Sequence, residues 1–294
     1  MIKIKTQDEI QIMKEGGAIL AKILKELSMA VKLGRTTKDL DKLAEELVFK
    51  SRTFSSEKVR DLKPAFLNYR GYPAVLCTSI NDEIVHGLPS DRKLQKGDLL
   101  KLDMGVLWKG FYTDSAVTVL VGQEVEVRNA PAGAKSKSHS NFHFLVGGGL
   151  AFDKKTLLKK KLIRVTRESL DLGIRQAKIG NTIGDIGSVI QKYVEKNGFN
   201  VIRNLVGHGI GRELHEEPQV PNYLPAGRQV ASSGTGQKLV EGMVIAIEPM
   251  VVTGDWETEE GPDGFVFQTK DSGLAAHFEH TIAITEKGPL VLTR

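Results

Sequence analysis

The chain of 294 residues reads as an α+β protein with one curved antiparallel sheet and helices on one side. Three observations predict this. Helical periodicity opens the chain and returns in its second half, and short β-branched runs with turns follow each helical stretch. The third is a repeated pattern: KLGRTTKDL at 32–40 and KIGNTIGDI at 178–186 both fit K-[LI]-G-x-T-x-x-D-[LI]. Each copy stands between two helical patterns, with Gly to end one helix and Thr to cap the next. Any helix–turn–helix could reuse that chemistry. The alternative is two related halves, each a helix pair followed by antiparallel strands, and that alternative predicts the architecture.

In order along the chain, Thr6 and Glu9 make a T-x-x-E capping box ahead of Ile10, Met13, Ile19, Ile23 and Leu27 at helical spacing. A second helix is predicted over about 38–50, with Leu40, Leu43, Leu47 and Val48 on one face. From Ala74 to about Val121 the texture is that of strands and turns. Helical periodicity resumes at 155–177 and 183–196, and strand-like runs follow at VIRNLVG, MVIAIEPMVV and FEHTIAIT. Segments 125–152 and 224–234, rich in Gly, Ser and Ala, lack periodicity and are expected to be surface insertions in a single domain, 1–294. Their stretches share Pro-Ala-Gly, for which there is no physical account.

The composition, 40% hydrophobic and 26% charged, is that of an ordinary globular protein. No apolar run approaches the ~20 residues that span a bilayer, and the first residues lack the continuous apolar block of a signal peptide. A single cysteine, Cys77, excludes an internal disulfide framework and suits a reducing compartment, so a cytoplasmic location is expected. The net charge of +5 permits a polyanionic partner without requiring one; neither DNA nor a membrane is expected as a partner, and a monomer is expected.

KLDMGVLWKGFYTDSAV, 101–117, reads as an apolar hairpin in which each strand carries an aspartate, Asp103 and Asp114. Aspartate is depleted in strands, and a buried carboxylate needs a cation or gives up its charge. With Trp108 and Lys109 as the central turn residues, the two acids would face each other directly, Cβ atoms ~5 Å apart. Like charges so placed share a proton or bracket a divalent metal. Elsewhere, NDEIVHG puts His86 at a strand end, LVGHGIGRELHEEP puts His208 and His215 on either side of a glycine-rich turn, VIAIEPM buries Glu248 in an otherwise apolar strand, and HFEHTIAIT does the same with Glu279. Four carboxylates from three strand regions, with histidines beside them, favour a metal site over exposed strand acids. Oxygen-rich ligation with imidazole suits Mn, Fe, Co or Zn, and four negative charges favour two divalent ions.

Asp-x10-Asp, GHGIGRxxHExP, IEPM and FEHT, in this order, resemble the type I methionine aminopeptidases, as do the flanking IKTQDEIQIMKEGG, NYRGYPAVLCTSINDEIVHG and GTGQKLVEGM. The resemblance covers most of the chain apart from the two loops. It implies the pita-bread fold, whose pseudo-twofold halves would account for the repeated pattern. It implies removal of the initiator methionine from methionyl peptides and nascent chains when the second residue is small. Carried over residue by residue, Asp103, Asp114, His208, Glu248 and Glu279 would hold two divalent ions, with Asp114 and Glu279 bridging. Glu248 would also handle the proton of a metal-activated hydroxide. His215 would hydrogen-bond the scissile carbonyl, and His86 would face the nitrogen side of the scissile bond. Phe66, Tyr69, Tyr72 and Cys77, with Leu214 and Phe265 opposite, would line the methionine pocket. His280 is expected to orient its strand, and His139 and His143, without helical context, are given no role.

The sequence departs from the family where Tyr112-Thr113 replaces a frequent His-Gly and where Phe66 and Leu214 stand. Contact of the basic run 154–164 with ribosomal RNA is a hypothesis; a solvated helix face is the plainer expectation. An X-prolyl exopeptidase on the same fold usually carries a large extra N-terminal domain, for which His86 comes too early. A non-catalytic relative would have lost metal ligands, and here all five are present.

Overall fold

The computed structural model describes residues 2–54, 61–122, 154–225 and 236–294. The expected insertion at 125–152, with His139 and His143, lies outside the described residues, as does the expected insertion at 224–234 beyond Pro225. The first helix, α1 (Gln7–Ala30), starts where the capping box puts it: Thr6 Oγ1 accepts from Glu9 N–H at 3.2 Å and Glu9 Oε2 accepts from Thr6 N–H at 3.0 Å. Helix α2 (Thr37–Phe54) runs four residues past Lys50, because SRTF contains no Gly or Pro to stop it.

The strands of the first half are β1 (Lys63–Pro64), β2 (Cys77–Ile80), β3 (Glu83–Val85), β4 (Leu99–Trp108) and β5 (Phe111–Leu120). The β4–β5 hairpin departs from the expected register. Trp108 pairs with Phe111, so the turn residues are Lys109 and Gly110. Both have positive φ, +47° and +81°, the signature of a type I′ turn, and glycine supplies that conformation without steric cost. Asp103 therefore pairs with Ala116 and Asp114 with Gly105. The two acids are diagonal neighbours on one face of the sheet, not direct partners.

In the second half, α3 (Lys154–Gln176) and α4 (Ile183–Lys196) precede β6 (Asn200–Val201), β7 (Gly207–Gly209), β8 (Glu216–Val220), β9 (Val244–Ile247) and β10 (Met250–Val252). Then come β11 (Thr258–Glu260), β12 (Phe267–Thr269), β13 (Ala275–His277), β14 (Glu279–Thr285) and β15 (Gly288–Val291). The main antiparallel sheet runs β1-β4-β5-β14-β9-β7-β8, with β2 also on β4 and β15 on β14. Two smaller sheets, β13-β10-β6 and β11-β12-β3, sit beside it. Leu100, Leu102, Met104 and Val106 of β4 pack with Leu20, Leu24 and Leu40 of the first helix pair. Ile245, Ile247, Ile282 and Ile284 pack with Leu170, Ile186 and Ile190 of the second. The helices thus cover one side of a curled sheet, as expected for the pita-bread fold.

The repeated pattern is a structural repeat. Gly34 and Gly180 both adopt positive φ, and Thr36–Asp39 and Thr182–Asp185 both form reciprocal caps. Gly34 N–H donates to Leu94 O and Gly180 N–H to Leu239 O; Leu94 and Leu239 donate back to Arg35 O and Asn181 O. Each clamp leads directly into a central strand, β4 or β9. The halves are related in contacts as well as in letters.

Three expected strands are shorter or divided. MVIAIEPMVV is two strands in different sheets: β9 ends at Ile247, and β10 begins at Met250 in the β13-β10-β6 sheet. Pro249 lacks an N–H for the ladder, which forces the break. Phe278 separates β13 from β14 opposite that break, and its N–H donates to Pro249 O at 3.4 Å. Glu248 therefore does not lie within an apolar strand; it projects from the gap. Of VIRNLVG, only Val201 and Gly207 lie in strands. The basic run 154–164 begins α3, yet Lys159 is buried and donates to Gly97 O, so that face is not wholly solvated. Among the described residues no helix is long and apolar enough to cross a membrane.

Candidate metal centre and catalytic cavity

The corrected hairpin register still places Asp103 and Asp114 on the face away from Leu102 and Met104. Asp114 is clasped from both sides: Ser115 N–H donates to its Oδ1 at 2.9 Å, and Thr281 Oγ1 accepts from its N–H while donating to its carbonyl. Glu279, first residue of β14, pairs with Ala116, and Ser115 Oγ donates to its carbonyl at 2.7 Å. His208, central in β7, and Glu248, in the gap between β9 and β10, complete the group. Ligand atoms of Asp114, His208 and Glu279 all lie within 4.8 Å of one another. Glu248 Oε1 is 3.6 Å from His208 Nε2. Asp103 (7% exposed), Asp114 (5%), His208 (8%) and Glu279 (2%) are buried.

Burial and mutual repulsion set the charge state of this cluster. Desolvation, followed by the Asp114 and Glu248 charges, holds the Asp103 carboxyl well above its usual range. Desolvation and neighbouring carboxylates do the same to Glu248 and Glu279, and desolvation pushes Asp114 up to about 7. Four such groups cannot all ionise without a cation among them. The residues present fit one: Asp103 Oδ1 is buried without any hydrogen-bond partner among the described residues. His208 is also prepared. Its Nδ1 lies 2.9 Å from the carbonyl of Gly209, which can only accept, so Nδ1 carries the proton and Nε2 presents a lone pair toward the carboxylates. Burial lowers its pKa to about 4, so the ring is neutral at physiological pH.

These groups form the floor of a cavity of about 510 Å³. His215 and His86 stand on its wall. Tyr69 Oη lies 2.8 Å from His215 Nδ1, and the two rings stack with centroids 5.4 Å apart. Although its ring opens to the cavity, His215 sits deep enough that desolvation, then His208, Arg70 and His86, lower its pKa to about 3. His86 follows β3 with φ +61°, an uncommon conformation for a residue with a Cβ, and its ring meets Phe267 edge-on at 5.8 Å. Phe66, Tyr72, Cys77, Leu214 and Phe265 form an apolar end of the same cavity. Tyr72 meets Phe265 edge-on at 5.5 Å, while its hydroxyl is engaged with the carbonyls of Leu76 and Gly87. Burial raises the Cys77 thiol well above its ordinary range, so it stays a neutral, soft wall. All the residues singled out in the sequence for this site line this one cavity.

The sequence reading missed Arg70, Asn204 and Met250, which also line the cavity, and His277 behind it. His277 is 1% exposed, both ring nitrogens lack hydrogen-bond partners among the described residues, and Nε2 is 3.8 Å from Glu248 Oε2. Alternation in HFEH, which puts 277 and 279 on one side, is a signal that could have placed it there but not shown that its nitrogens lack partners. His280, by contrast, faces away, its Nδ1 2.9 Å from Thr293 Oγ1, which suits the strand-orienting role expected of it.

Buried carboxylates and imidazole at the floor of a cavity define a metal-dependent hydrolase centre, and the chain belongs to metallopeptidase family M24, whose pattern matches residues 11–286. Within that family it is similar over its full length to methionine aminopeptidases. The protein from Clostridium acetobutylicum is 40% identical over 294 residues, spanning 100% of this chain and 99% of that one. Methionine aminopeptidase 1 of Bacillus subtilis is 38% identical and matched over 100% of both chains. The crystal structure of methionine aminopeptidase from Thermotoga maritima matches with a TM-score of 0.81 at 41% identity, covering 100% of each chain.

Proposed function

We propose that this chain removes the N-terminal methionine of peptides and nascent proteins whose second residue is small. Release of N-terminal methionine by a metallopeptidase rests on full-length likeness to methionine aminopeptidases. The observation that carries the assignment of residues is the meeting of Asp103, Asp114, His208, Glu248 and Glu279 on the floor of a cavity with an apolar, sulfur-containing end. In our reading these five hold two divalent ions, Co, Mn, Fe or Zn. A divalent ion bound there supplies an activated water at neutral pH and polarises a carbonyl.

The chain's own groups do the rest. Glu248, on the cavity floor beside His208, takes the proton of the attacking water and passes it toward the leaving nitrogen. With the Tyr69 phenol, 2.8 Å away, as donor to Nδ1 of His215, Nε2–H is left to donate to the oxygen of the scissile carbonyl. His86 faces the nitrogen of the scissile bond. Cys77, Phe66, Tyr72, Leu214 and Phe265 receive the methionine side chain, the thioether resting against aromatic edges. His277 backs Glu248 and limits its movement.

We further propose a cytoplasmic monomer in a single domain that meets its substrates at the ribosome through the exposed lysines of 154–164. The decisive experiment adds Mn, Fe, Co or Zn to metal-stripped protein and follows hydrolysis of Met-Ala-Ser and Gly-Pro-type peptides. Methionine release only with metal supports the reading. No release with any ion, in a folded sample, refutes it. Ribosome docking fails if neutralising several of those lysines leaves co-sedimentation unchanged at low salt.

A further inference from the structure

A second hollow, of about 530 Å³, lies against the first. Asn204 lines both, so a chain leaving the catalytic cavity past that residue reaches the hollow directly. Arg203 sits there beside two aromatic rings, its guanidinium carbon 5.0 Å from the Trp256 centroid and 5.9 Å from that of Tyr223. Its Nε is buried without a hydrogen-bond partner among the described residues. The neighbouring amide of Gln191 is spent on the wall: Oε1 accepts from Leu224 N–H at 3.0 Å, and Nε2 donates to Glu195 Oε1 at 2.8 Å.

A guanidinium held beside aromatic rings keeps its terminal in-plane N–H groups for a planar anion. It is held in position before any ligand arrives, so little rotamer freedom is lost on binding. The matching ligand is a carboxylate taken through paired N–H groups. Resting on the aminopeptidase reading, we infer that this hollow is a subsite for an aspartate or glutamate of the substrate, downstream of its second residue. An extended peptide advances about 3.3 Å per residue, so a few residues beyond the cleaved bond suffice to pass Asn204.

The test is equilibrium binding of fluorescently labelled hexapeptides, Met-Ala followed by four serines, with one serine at a time replaced by Asp or Lys. Fluorescence anisotropy with metal-loaded His215→Ala protein reads affinity without turnover. At one position Asp should bind at least about five-fold tighter than Lys, at moderate salt. Arg203→Met should abolish that difference, and Arg203→Lys, which keeps the charge but loses the fork, should retain only part of it. Equal affinities across the Asp and Lys series in the parent protein overturn the subsite, as does a preference that survives Arg203→Met. Hydrolysis of Met-Ala-Ser by the unmodified enzyme, measured separately, decides the aminopeptidase reading on its own.

Discussion

The phenol of Tyr69 lies 2.8 Å from Nδ1 of His215, with the two rings stacked. The contact fixes the ring's angle and, when the phenol donates, its tautomer. Tyr69 is then a positioning residue as well as a wall of the methionine pocket. Tyr69→Phe keeps the ring and removes the hydroxyl. A hydrogen bond of this kind contributes roughly 1 kcal/mol, so kcat should fall about five- to ten-fold with KM and metal content little changed. A rise in KM alone would assign Tyr69 to the pocket only.

Removing groups from the floor and from the wall should separate two functions. Asp114→Asn should lose divalent metal on dialysis, since it takes a charge from the centre of the cluster. His215→Ala should retain metal and lose most turnover, on the order of a hundred-fold, as expected for one donor to a developing oxyanion. Metal analysis and kinetics on both variants check this. Equal metal content with equal activity would refute the division of roles.

The carboxyl cluster also dictates how metal binding responds to pH. Asp103, Glu248 and Glu279 have raised pKa values, and Asp114 titrates at about 7. In the unfolded chain the same groups release their protons near pH 4. Between those values the folded, metal-free protein binds more protons than the unfolded chain, so these groups lower stability progressively as pH rises. A cation reverses that trend by taking the protons' place. The increase in Tm on adding Mn(II) should therefore grow from pH 6 to pH 8, and binding should release protons. His208, at about 4, contributes none. Calorimetry in two buffers of different ionisation enthalpy measures the release; zero protons at pH 6.5 would mean the carboxyls are already ionised.

The loop bearing His215 is tied down by a buried ion pair, Lys5 Nζ to Glu216 Oε2 at 2.7 Å, with side chains 4% and 3% exposed. Glu216 Oε1 also accepts from the N–H groups of Arg212 and Glu213. Lys5→Met would leave that buried carboxylate only Lys3, whose mostly exposed Nζ lies 3.6 Å away, at a cost of up to about 3–5 kcal/mol. The double variant Lys5→Met, Glu216→Leu should recover part of this, because it removes the stranded charge. Urea unfolding of the three proteins checks the order; a single variant as stable as the parent would show the pair contributes nothing.

Much of this was legible in the sequence because local chemistry and tertiary role coincide. The T-x-x-E box starts α1 where it stands, and the glycine–threonine pattern is a turn in both halves. The clustered acids and histidines stood out because such residues are costly inside apolar runs, whereas Phe66, Tyr69, Tyr72, Cys77, Leu214 and Phe265 were reached only through the family resemblance. What escaped depends on geometry that no spacing encodes. The hairpin slipped by one residue because Lys109, not Trp108, takes a left-handed turn position beside Gly110. The strand holding Glu248 divides because Pro249 passes the chain to another sheet. His277 was hidden because a histidine next to apolar residues looks the same in sequence whether or not its nitrogens find partners.

The repeat clamps also say how the cage relates to its scaffold. Asp103 and Glu248 stand the same number of residues past Leu94 and Leu239, at equivalent steps of the two halves. Ala116 and Glu279 pair across the seam where β5 meets β14, and Thr281 clasps Asp114 there. Each half thus sends one carboxyl to the cavity floor at the same step past its clamp, near enough that the Glu248 charge raises the Asp103 pKa. His208, supplied by β7 of the second half alone, departs from that correspondence.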